Sequence, residues 1–131
     1  MAAAESYPDD LKYHSEHDWA RVDGDEATLG ITWYAQDALG ELVHYEPPDD
    51  GSTVSRDESY GEVESVKAVS DLISPLSGEV LEVNSKVVDA PETVNEDPYG
   101  EGWLIRIRLT DPTQVDSLLD AAAYKQLVES Q

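Results

Sequence analysis

The sequence predicts a mainly β fold, a sandwich or flattened barrel, and three observations lead to this prediction. Asp23-Gly24-Asp25 separates two apolar runs and is a strong hairpin signal. Over residues 103–109 every second residue is a large apolar one and two arginines fall between them, as in a strand with one buried face. Residues 42–45 and 79–83, which are rich in Val and Leu, add further short strands, and strands at this spacing are typical of sandwiches and barrels.

Short helices are expected beside these strands. Thr32 predicts the start of a helix that ends at Gly40. Residues 84–102 are rich in Asn, Asp, Pro and Gly, and they predict a long loop with one helical turn. Asp111 followed by Pro112 predicts the start of a C-terminal helix. The apolar stripe expected on this last helix consists of Val115, Leu118, Leu119, Ala122 and Leu127.

The chain of 131 residues is long enough for one domain with one core. We predict a flexible N-terminal tail over residues 1–10 and a single domain over residues 11–131. The tail carries acids, no arginine and no apolar run, so it has the features of neither a signal peptide nor a mitochondrial transit peptide. We therefore expect a cytoplasmic protein, or a protein of the mitochondrial matrix only if this is a processed chain.

The composition excludes several classes of function. There is no cysteine, so disulfides, thiolate metal sites and cysteine nucleophiles are excluded, and no apolar run is long enough to span a membrane. The 29 acids against 8 Lys and Arg give a net charge of −21, which repels nucleic acid and anionic membranes, and we expect neither as a partner. Such a chain also repels itself unless salt screens it, which favours adaptation to a salt-rich cytosol, as in a halophile; the alternative is an acidity that is usual among its relatives and unrelated to salt.

The most informative stretch surrounds Lys67, one of four lysines. Val63, Val66 and Val69 favour β-structure on both sides of it, and we predict two strands that meet near Lys67 and leave its amine in water. No Gly or Asn lies within three residues of this lysine, so turn chemistry alone does not place a hairpin tip there. From the local pattern alone, an ordinary solvated lysine on a hairpin remains the alternative.

Blocks of sequence around and beyond Lys67 resemble one known family. The segment Glu64-Ser65-Val66-Lys67-Ala68-Val69-Ser70-Asp71 resembles a lipoyl-attachment motif. Further blocks lie along the chain in the order that this family has them. They are Leu11-Lys12-Tyr13 with Glu16-His17-Asp18-Trp19, Gly30-Ile31-Thr32 with Tyr34-Ala35-Gln36 and Leu39-Gly40, Ser77-Gly78-Glu79-Val80, and residues 94–104. Together the blocks span roughly residues 11–128 and resemble the glycine cleavage system H protein family. One short motif is weak evidence, whereas several ordered blocks are strong.

The resemblance implies the lipoyl/biotinyl carrier type of fold with small added helices, and a non-catalytic protein with lipoic acid on Lys67. An amide on a lysine removes its charge and makes a long neutral arm, and tethering raises the effective concentration of the group it carries. In this family the arm carries the aminomethyl group of glycine between glycine decarboxylase, an aminomethyltransferase and dihydrolipoamide dehydrogenase, once a lipoylating enzyme has attached the cofactor. We expect a monomer that meets these partners in transient complexes.

Three carboxylates are candidate site residues beside Lys67. The resemblance places Asp18 and Asp71 at the positions of pocket carboxylates that would contact the arm and its aminomethyl group. Asp18 stands where Glu is common, so its reach is shorter. Glu64, beside the lysine, is a candidate for recognition by the lipoylating enzyme. The alternative for these residues is a set of solvated acids on an acidic surface.

Histidines and one tryptophan complete the candidates. His14, His17 and His44 have no cysteine partners and no helical His pair, so we interpret them as surface or packing residues and expect no metal site. The resemblance leaves a contact between His17 and the arm open. Trp33 stands where a small acidic residue is usual in the family, and it would either face partner proteins or fill a gap beside the arm.

Other carrier classes fit less well. A biotin carrier would have methionines where Val66 and Ala68 flank the lysine. A lipoyl domain of a 2-oxo acid dehydrogenase would usually be shorter, have Asp directly before the lysine and lack the block from Asn95 to Leu104. A hydrolase or transferase is disfavoured because no nucleophile–base pair is visible. Two alternatives stay open: a lipoate-relay carrier that donates lipoyl groups to other enzymes, and an unmodified structural homologue.

Overall fold

The structure is a computed structural model that describes residues 3–131. These residues form nine strands, four α-helices and one 3-10 helix. In chain order the elements are β1 (Lys12–Tyr13), β2 (Asp18–Asp23), β3 (Glu26–Ile31), α1 (Trp33–Leu39), β4 (Leu42–Glu46), β5 (Thr53–Val54), β6 (Ser59–Ser65), β7 (Val69–Ile73), β8 (Gly78–Val83), α2 (Ser85–Asp89), α3 (Thr93–Glu96), β9 (Ile105–Leu109), the 3-10 helix (Pro112–Ser117) and α4 (Ala121–Glu129). None of these helices is long and apolar enough to cross a membrane.

The strands form two antiparallel sheets that share one core. Six strands pair in the order β1-β2-β3-β9-β8-β5, and three pair in the order β4-β6-β7. Buried side chains from both sheets meet between them, including Ala20, Leu29, Ile107, Tyr45, Val63 and Leu72. The predicted mainly β sandwich is confirmed. Over residues 3–131 the two sheets stay separate, so the flattened-barrel form of the prediction does not apply.

Local sequence explains the strands that frame this core. Asp23 pairs with Glu26, and Gly24 adopts a positive φ of 64° that suits a tight hairpin turn. In β9 the alternation places Ile105 and Ile107 in the core, as expected for a strand with one buried face. Arg106 points to the opposite side, where it forms ion pairs with carboxylates of two neighbouring strands.

The first helix follows the prediction, and the long loop does not. The Thr32 hydroxyl accepts from the backbone N–H of Ala35, and Gly40 ends the helix with a φ of 84°. Residues 84–102 contain two short helices, α2 and α3, rather than one turn. Asn84 explains the first of them, because its side chain caps α2.

The predicted C-terminal helix from Asp111 is wrong in its extent. The chain forms the 3-10 helix, leaves it, and starts α4 at a new cap, Asp120, whose carboxylate accepts from the N–H of Ala123. The interruption has a physical cause. Leu119 exchanges two backbone hydrogen bonds of 2.8 Å with Tyr13, which holds this residue extended against β1. As a result α4 buries Ala121 and Tyr124 instead of one continuous stripe.

A second, aromatic cluster lies on the far side of the larger sheet. It consists of Tyr7, Leu11, Tyr13, Trp19, Ala121 and Tyr124. The rings of Tyr13 and Tyr124 stack at 4.7 Å, and Tyr7 meets Tyr124 edge-on at 5.5 Å. Tyr7 is only 9% exposed. The division into a tail over residues 1–10 and a domain over residues 11–131 stays a prediction, and residues 1 and 2 lie outside the described part of the chain.

Candidate functional site

Lys67 lies at the tip of the β6–β7 hairpin. The last cross-strand pair is Glu64 with Val69, and the backbone N–H of Ser65 donates to the carbonyl of Ala68 across 2.8 Å. Val66 is 77% exposed, and Lys67 is exposed as well. The predicted pair of strands that meet at Lys67, with its side chain in water, is therefore present.

Ser65 shapes this tip. Its hydroxyl oxygen lies 3.3 Å from the backbone nitrogen of Lys67 and 3.1 Å from that of Ala68, and it accepts from both N–H groups. The hydroxyl also donates to the carbonyl of Ala68. A serine that bonds the backbone two and three residues on replaces the glycine or asparagine of a usual tight turn. Sequence reasoning missed this signal, a serine at the first position of the turn.

The stem of Lys67 lies beside Gly40, the residue that ends α1. A Cβ built on Gly40 would lie 3.6 Å from Cε of Lys67. Asn95, in α3, holds this corner: its side-chain nitrogen donates to the carbonyl of Gly40 and to Oε1 of Gln36, and its oxygen accepts from the N–H of Leu42. The surface under the lysine is therefore built by three separate parts of the chain.

Two of the candidate carboxylates lie on the same hairpin as Lys67. The register pairs Glu62 with Asp71 and places Glu64 two residues further along, so all three side chains share the outer face of the three-stranded sheet. Glu64 and Asp71 are exposed. His44, opposite Glu64 on β4, is exposed on this face and pairs with Glu46 at 3.1 Å. The outer face of the three-stranded sheet is therefore acidic next to Lys67.

Asp18 is different, because it is only 2% exposed. It begins β2 in the larger sheet, and one of its carboxylate oxygens, Oδ1, is buried with no hydrogen-bond partner among residues 3–131. Burial raises the pKa of Asp18 well above its usual value, and the nearby Glu16 raises it further. The interpretation of Asp18 as a solvated surface acid is therefore wrong, and the structure does not place it on the outer face with Asp71.

A cleft of ≈ 470 Å³ opens beside the loop that precedes Asp18, lined in part by His14, Glu16, Asp57 and Ile73. His14 Nδ1 accepts from the backbone N–H of Glu16, so Nε2 carries the proton and donates to Asp57 across 2.6 Å. His17 packs in the aromatic cluster, with Nδ1 2.8 Å from the hydroxyl of Tyr124, and burial lowers its pKa. Within residues 3–131 no three His or carboxylate groups are arranged to hold a metal.

Comparison with known proteins decides the family. The family model described as glycine cleavage H-protein matches residues 11–131. The chain belongs to the glycine cleavage H-protein family. Glycine cleavage system H proteins of Anaeromyxobacter sp. (strain K) and Symbiobacterium thermophilum are 55% and 54% identical over 124 and 117 residues. These alignments cover 95% and 89% of this chain and 97% and 91% of the relatives. A crystal structure of the H protein from Mycobacterium marinum aligns with a TM-score of 0.87 at 44% identity, over 94% of this chain and 99% of that one.

Membership of this family establishes the class of function. H proteins are lipoyl carriers and not catalysts, so this chain is a non-catalytic carrier of lipoic acid in the glycine cleavage system. Its partners are those of the family: the glycine decarboxylase, the aminomethyltransferase and dihydrolipoamide dehydrogenase.

Trp33 contacts residues 3–6 near the start of the chain, directly and through Tyr99. Its indole N–H donates to the carbonyl of Ala3 across 2.8 Å, and its backbone N–H donates to the hydroxyl of Tyr99. That hydroxyl in turn donates to the carbonyl of Ser6. This packing under residues 3–6 tests neither a role toward partner proteins nor the filling of a gap beside the arm, so both stay predictions.

Proposed function

We propose that Lys67 is the residue that carries the lipoyl group of this H protein. The proposal rests on the position of Lys67 at the exposed tip of an ordered hairpin, with its stem beside Gly40. The other lysines lie within regular elements: Lys12 in β1, Lys86 in α2 and Lys125 in α4. Lys86 is also engaged by Glu101 at 2.9 Å. A tip between two paired strands supports a long arm while the backbone beneath it stays in place.

A lipoyl amide suits a lysine that is exposed at a hairpin tip. A free lysine amine is charged at neutral pH because its usual pKa is about 10.4, and amide formation removes that charge. Bound lipoate supplies a disulfide that accepts the aminomethyl group, and the protein supplies the tether, the orientation and the exclusion of water. Tethering keeps the carried group at high effective concentration near each partner site.

The three candidate carboxylates receive separate roles. Asp18 takes the ammonium of the aminomethyl group: its buried, unpartnered oxygen is the kind of acceptor that a cation would satisfy. Asp71 lies exposed on the hairpin that bears Lys67, where the arm can contact it. Glu64 lies beside the lysine on the same outer face and contributes to recognition by a lipoylating enzyme. Electrostatic complementarity of such a surface affects mainly the association rate and the specificity.

The remaining proposals concern the whole chain. Residues 11–131 act as the carrier domain and residues 1–10 as its N-terminal extension. The protein works as a monomer in the cytoplasm, a proposal that agrees with its bacterial relatives. It binds neither nucleic acid nor membrane, which agrees with a net charge of −21.

Glycine–bicarbonate exchange tests the function. The lipoylated protein is incubated with a glycine decarboxylase and labelled bicarbonate, and we expect label in glycine that depends on lipoylation and is absent with Lys67→Arg. A lipoylated protein that supports no exchange but donates its lipoyl group to a 2-oxo acid dehydrogenase domain would favour the lipoate-relay alternative. A protein that no lipoylating enzyme modifies would leave only the structural homologue.

A further inference from the structure

Three buried side-chain atoms have no hydrogen-bond partner among residues 3–131. Nε of Arg56 belongs to a half-buried side chain at the cleft and lies 3.8 Å from Asp57. The other two belong to side chains of the core, and they are Oδ1 of Asp18 and the hydroxyl of Tyr60. The side chains are only 2% and 7% exposed. A buried polar group without a partner costs about 1–3 kcal/mol, so two of them in one core require an explanation.

Both side chains point into the same core. Along β2, Ala20 belongs to the core between the sheets, whereas Trp19 lies in the aromatic cluster on the other side. Because side chains alternate along a strand, Asp18 shares the side of Ala20. Tyr60 enters the same core from β6, in the opposite sheet.

The strand is irregular at Tyr60. Ser59 pairs with Ile73, and Gly61 pairs with Leu72, so Tyr60 is an extra residue without a partner across the hairpin. A bulge of this kind redirects a side chain, and bulges are common next to functional sites. Ile73, at the same level of the hairpin, lines the cleft beside the loop that precedes Asp18. The bulge therefore sits where the core borders that cleft.

Burial and the charge of Asp18 both act on the hydroxyl of Tyr60. The pKa of Tyr60 is raised well above its usual value, first by burial and then by the charge of Asp18. Other buried tyrosines have partners: the hydroxyl of Tyr45 donates to the carbonyl of Leu104, and that of Tyr13 donates to the carbonyl of Pro8. Tyr60 is the exception, and Asp18 is the carboxylate that likewise has a buried, unpartnered oxygen among residues 3–131.

We propose that Tyr60 is a second contact for the ammonium of the carried aminomethyl group, with its hydroxyl oxygen accepting one N–H while the Asp18 carboxylate accepts another. A primary ammonium offers three donors, and it compensates the charge of a buried carboxylate, which a neutral group does not. The inference rests on the proposed role of Asp18. It adds a residue that the motif around Lys67 does not contain.

The test uses the full-length lipoylated protein, loaded with the aminomethyl group by the glycine decarboxylase, with loading checked by intact mass. After removal of the decarboxylase, the first-order loss of the group is followed for wild type, Tyr60→Phe and Asp18→Asn. Tyr45→Phe is the matched control, because it removes a buried hydroxyl that already has a partner. The thermal midpoint of each unloaded variant is the second readout.

We expect Tyr60→Phe to lose the group about tenfold faster than wild type, as for one hydrogen bond to a charged group, while its unloaded midpoint stays equal or rises. Tyr45→Phe should behave in the opposite way, with unchanged loss and a lower midpoint. Wild-type loss in Tyr60→Phe together with accelerated loss in Asp18→Asn would overturn the role of Tyr60 and leave that of Asp18 intact. Wild-type loss in both variants would overturn the proposed role of Asp18 as well. A midpoint lowered as much in Tyr60→Phe as in Tyr45→Phe would mean that the hydroxyl has a partner in the unloaded protein, and would also overturn the inference.

Discussion

The side-chain nitrogen of Asn95 donates to the backbone carbonyl of Gly40 across 2.9 Å, and this contact fixes the end of α1 beside the stem of Lys67. The same side chain accepts from Leu42 where β4 begins. One asparagine therefore joins the helix end to the start of the next strand, although it lies more than fifty residues further along the chain.

Replacement of Asn95 by Asp should weaken this corner and the presentation of Lys67 together. Asn95→Asp removes both donated hydrogen bonds and leaves a carboxylate facing the carbonyl of Gly40. We expect a loss of about 2–3 kcal/mol in the free energy of unfolding, at about 1 kcal/mol or more for each bond lost. Below the unfolding temperature, kcat/KM of a lipoylating enzyme for the variant should fall several-fold, mainly through KM.

Asn84 provides the matched control. Its side chain also donates two hydrogen bonds and accepts one, at the start of α2. Asn84→Asp should lower stability to a similar extent with unchanged lipoylation kinetics. Equal kinetic effects of the two substitutions would show that Asn95 acts through global stability alone.

Removal of the Ser65 hydroxyl should loosen the tip of the hairpin. In Ser65→Ala the backbone N–H groups of Lys67 and Ala68 lose their acceptor. We expect a loss of about 0.5–1.5 kcal/mol in the free energy of unfolding, faster amide hydrogen exchange at residues 66–68 and slower lipoylation. Ser70→Ala removes a hydroxyl of the neighbouring strand whose hydrogen bond to the carbonyl of Asp71 is exposed, and it should leave all three unchanged. Unaltered exchange in Ser65→Ala would contradict the assigned role of its hydroxyl.

Asp18 should make stability depend on pH with a defined sign. Because burial raises the pKa of Asp18 above its unfolded value of about 3.8, the folded protein holds a proton that the unfolded chain releases. The contribution of Asp18 is therefore fully present below the unfolded pKa and is lost as the pH rises through the folded pKa. Asparagine at position 18 does not titrate. The free energy of unfolding of Asp18→Asn minus that of wild type should therefore increase between pH 4 and pH 8, by about 1.4 kcal/mol for each unit by which folding raises the pKa of Asp18.

Urea unfolding at several pH values measures this difference. Asp71→Asn is the control, because it changes the same chemical group at an exposed position. A difference between Asp18→Asn and wild type that stays constant from pH 4 to pH 8 would contradict the burial of an ionisable Asp18.

The charge of −21 should make stability depend on salt. The screening length falls from about 10 Å at 0.1 M to about 3 Å at 1 M salt, so repulsion between surface acids weakens strongly over this range. We expect the thermal midpoint to rise by several degrees between about 0.1 M and about 1 M KCl. Variants with Asp49→Asn and Asp50→Asn, in an exposed loop, should be more stable than wild type at low salt and gain less from KCl. A midpoint that does not respond to KCl would argue against adaptation to a salt-rich cytosol.

Much of the β framework could be predicted because local signals and tertiary structure agree. The turn at Gly24, the cap at Thr32 and the alternation in β9 each have one physical cause within a few residues. The C-terminal helix could not be predicted in full, since Leu119 is pulled into a backbone bridge with Tyr13, more than a hundred residues away. No local pattern contains that contact.

Some residues of the candidate site could likewise be predicted from local sequence, and others could not. Lys67 and its neighbours Glu64 and Asp71 follow from one contiguous motif, and the hairpin keeps them together. The burial of Asp18 and of Tyr60 in one core depends on how the two sheets face each other, which the sequence around either residue does not show. Acidic composition suggested a solvated carboxylate there, and the packing of the core overrides that expectation.

Intact mass after co-expression with a lipoate ligase tests the assignment of Lys67 most directly. We expect wild type to gain one lipoyl unit, Lys86→Arg to gain the same unit, and Lys67→Arg to gain none while it keeps the thermal midpoint of wild type. Wild type that remains unmodified beside a ligase active on a reference H protein, or Lys67→Arg that is still lipoylated, would contradict the assignment.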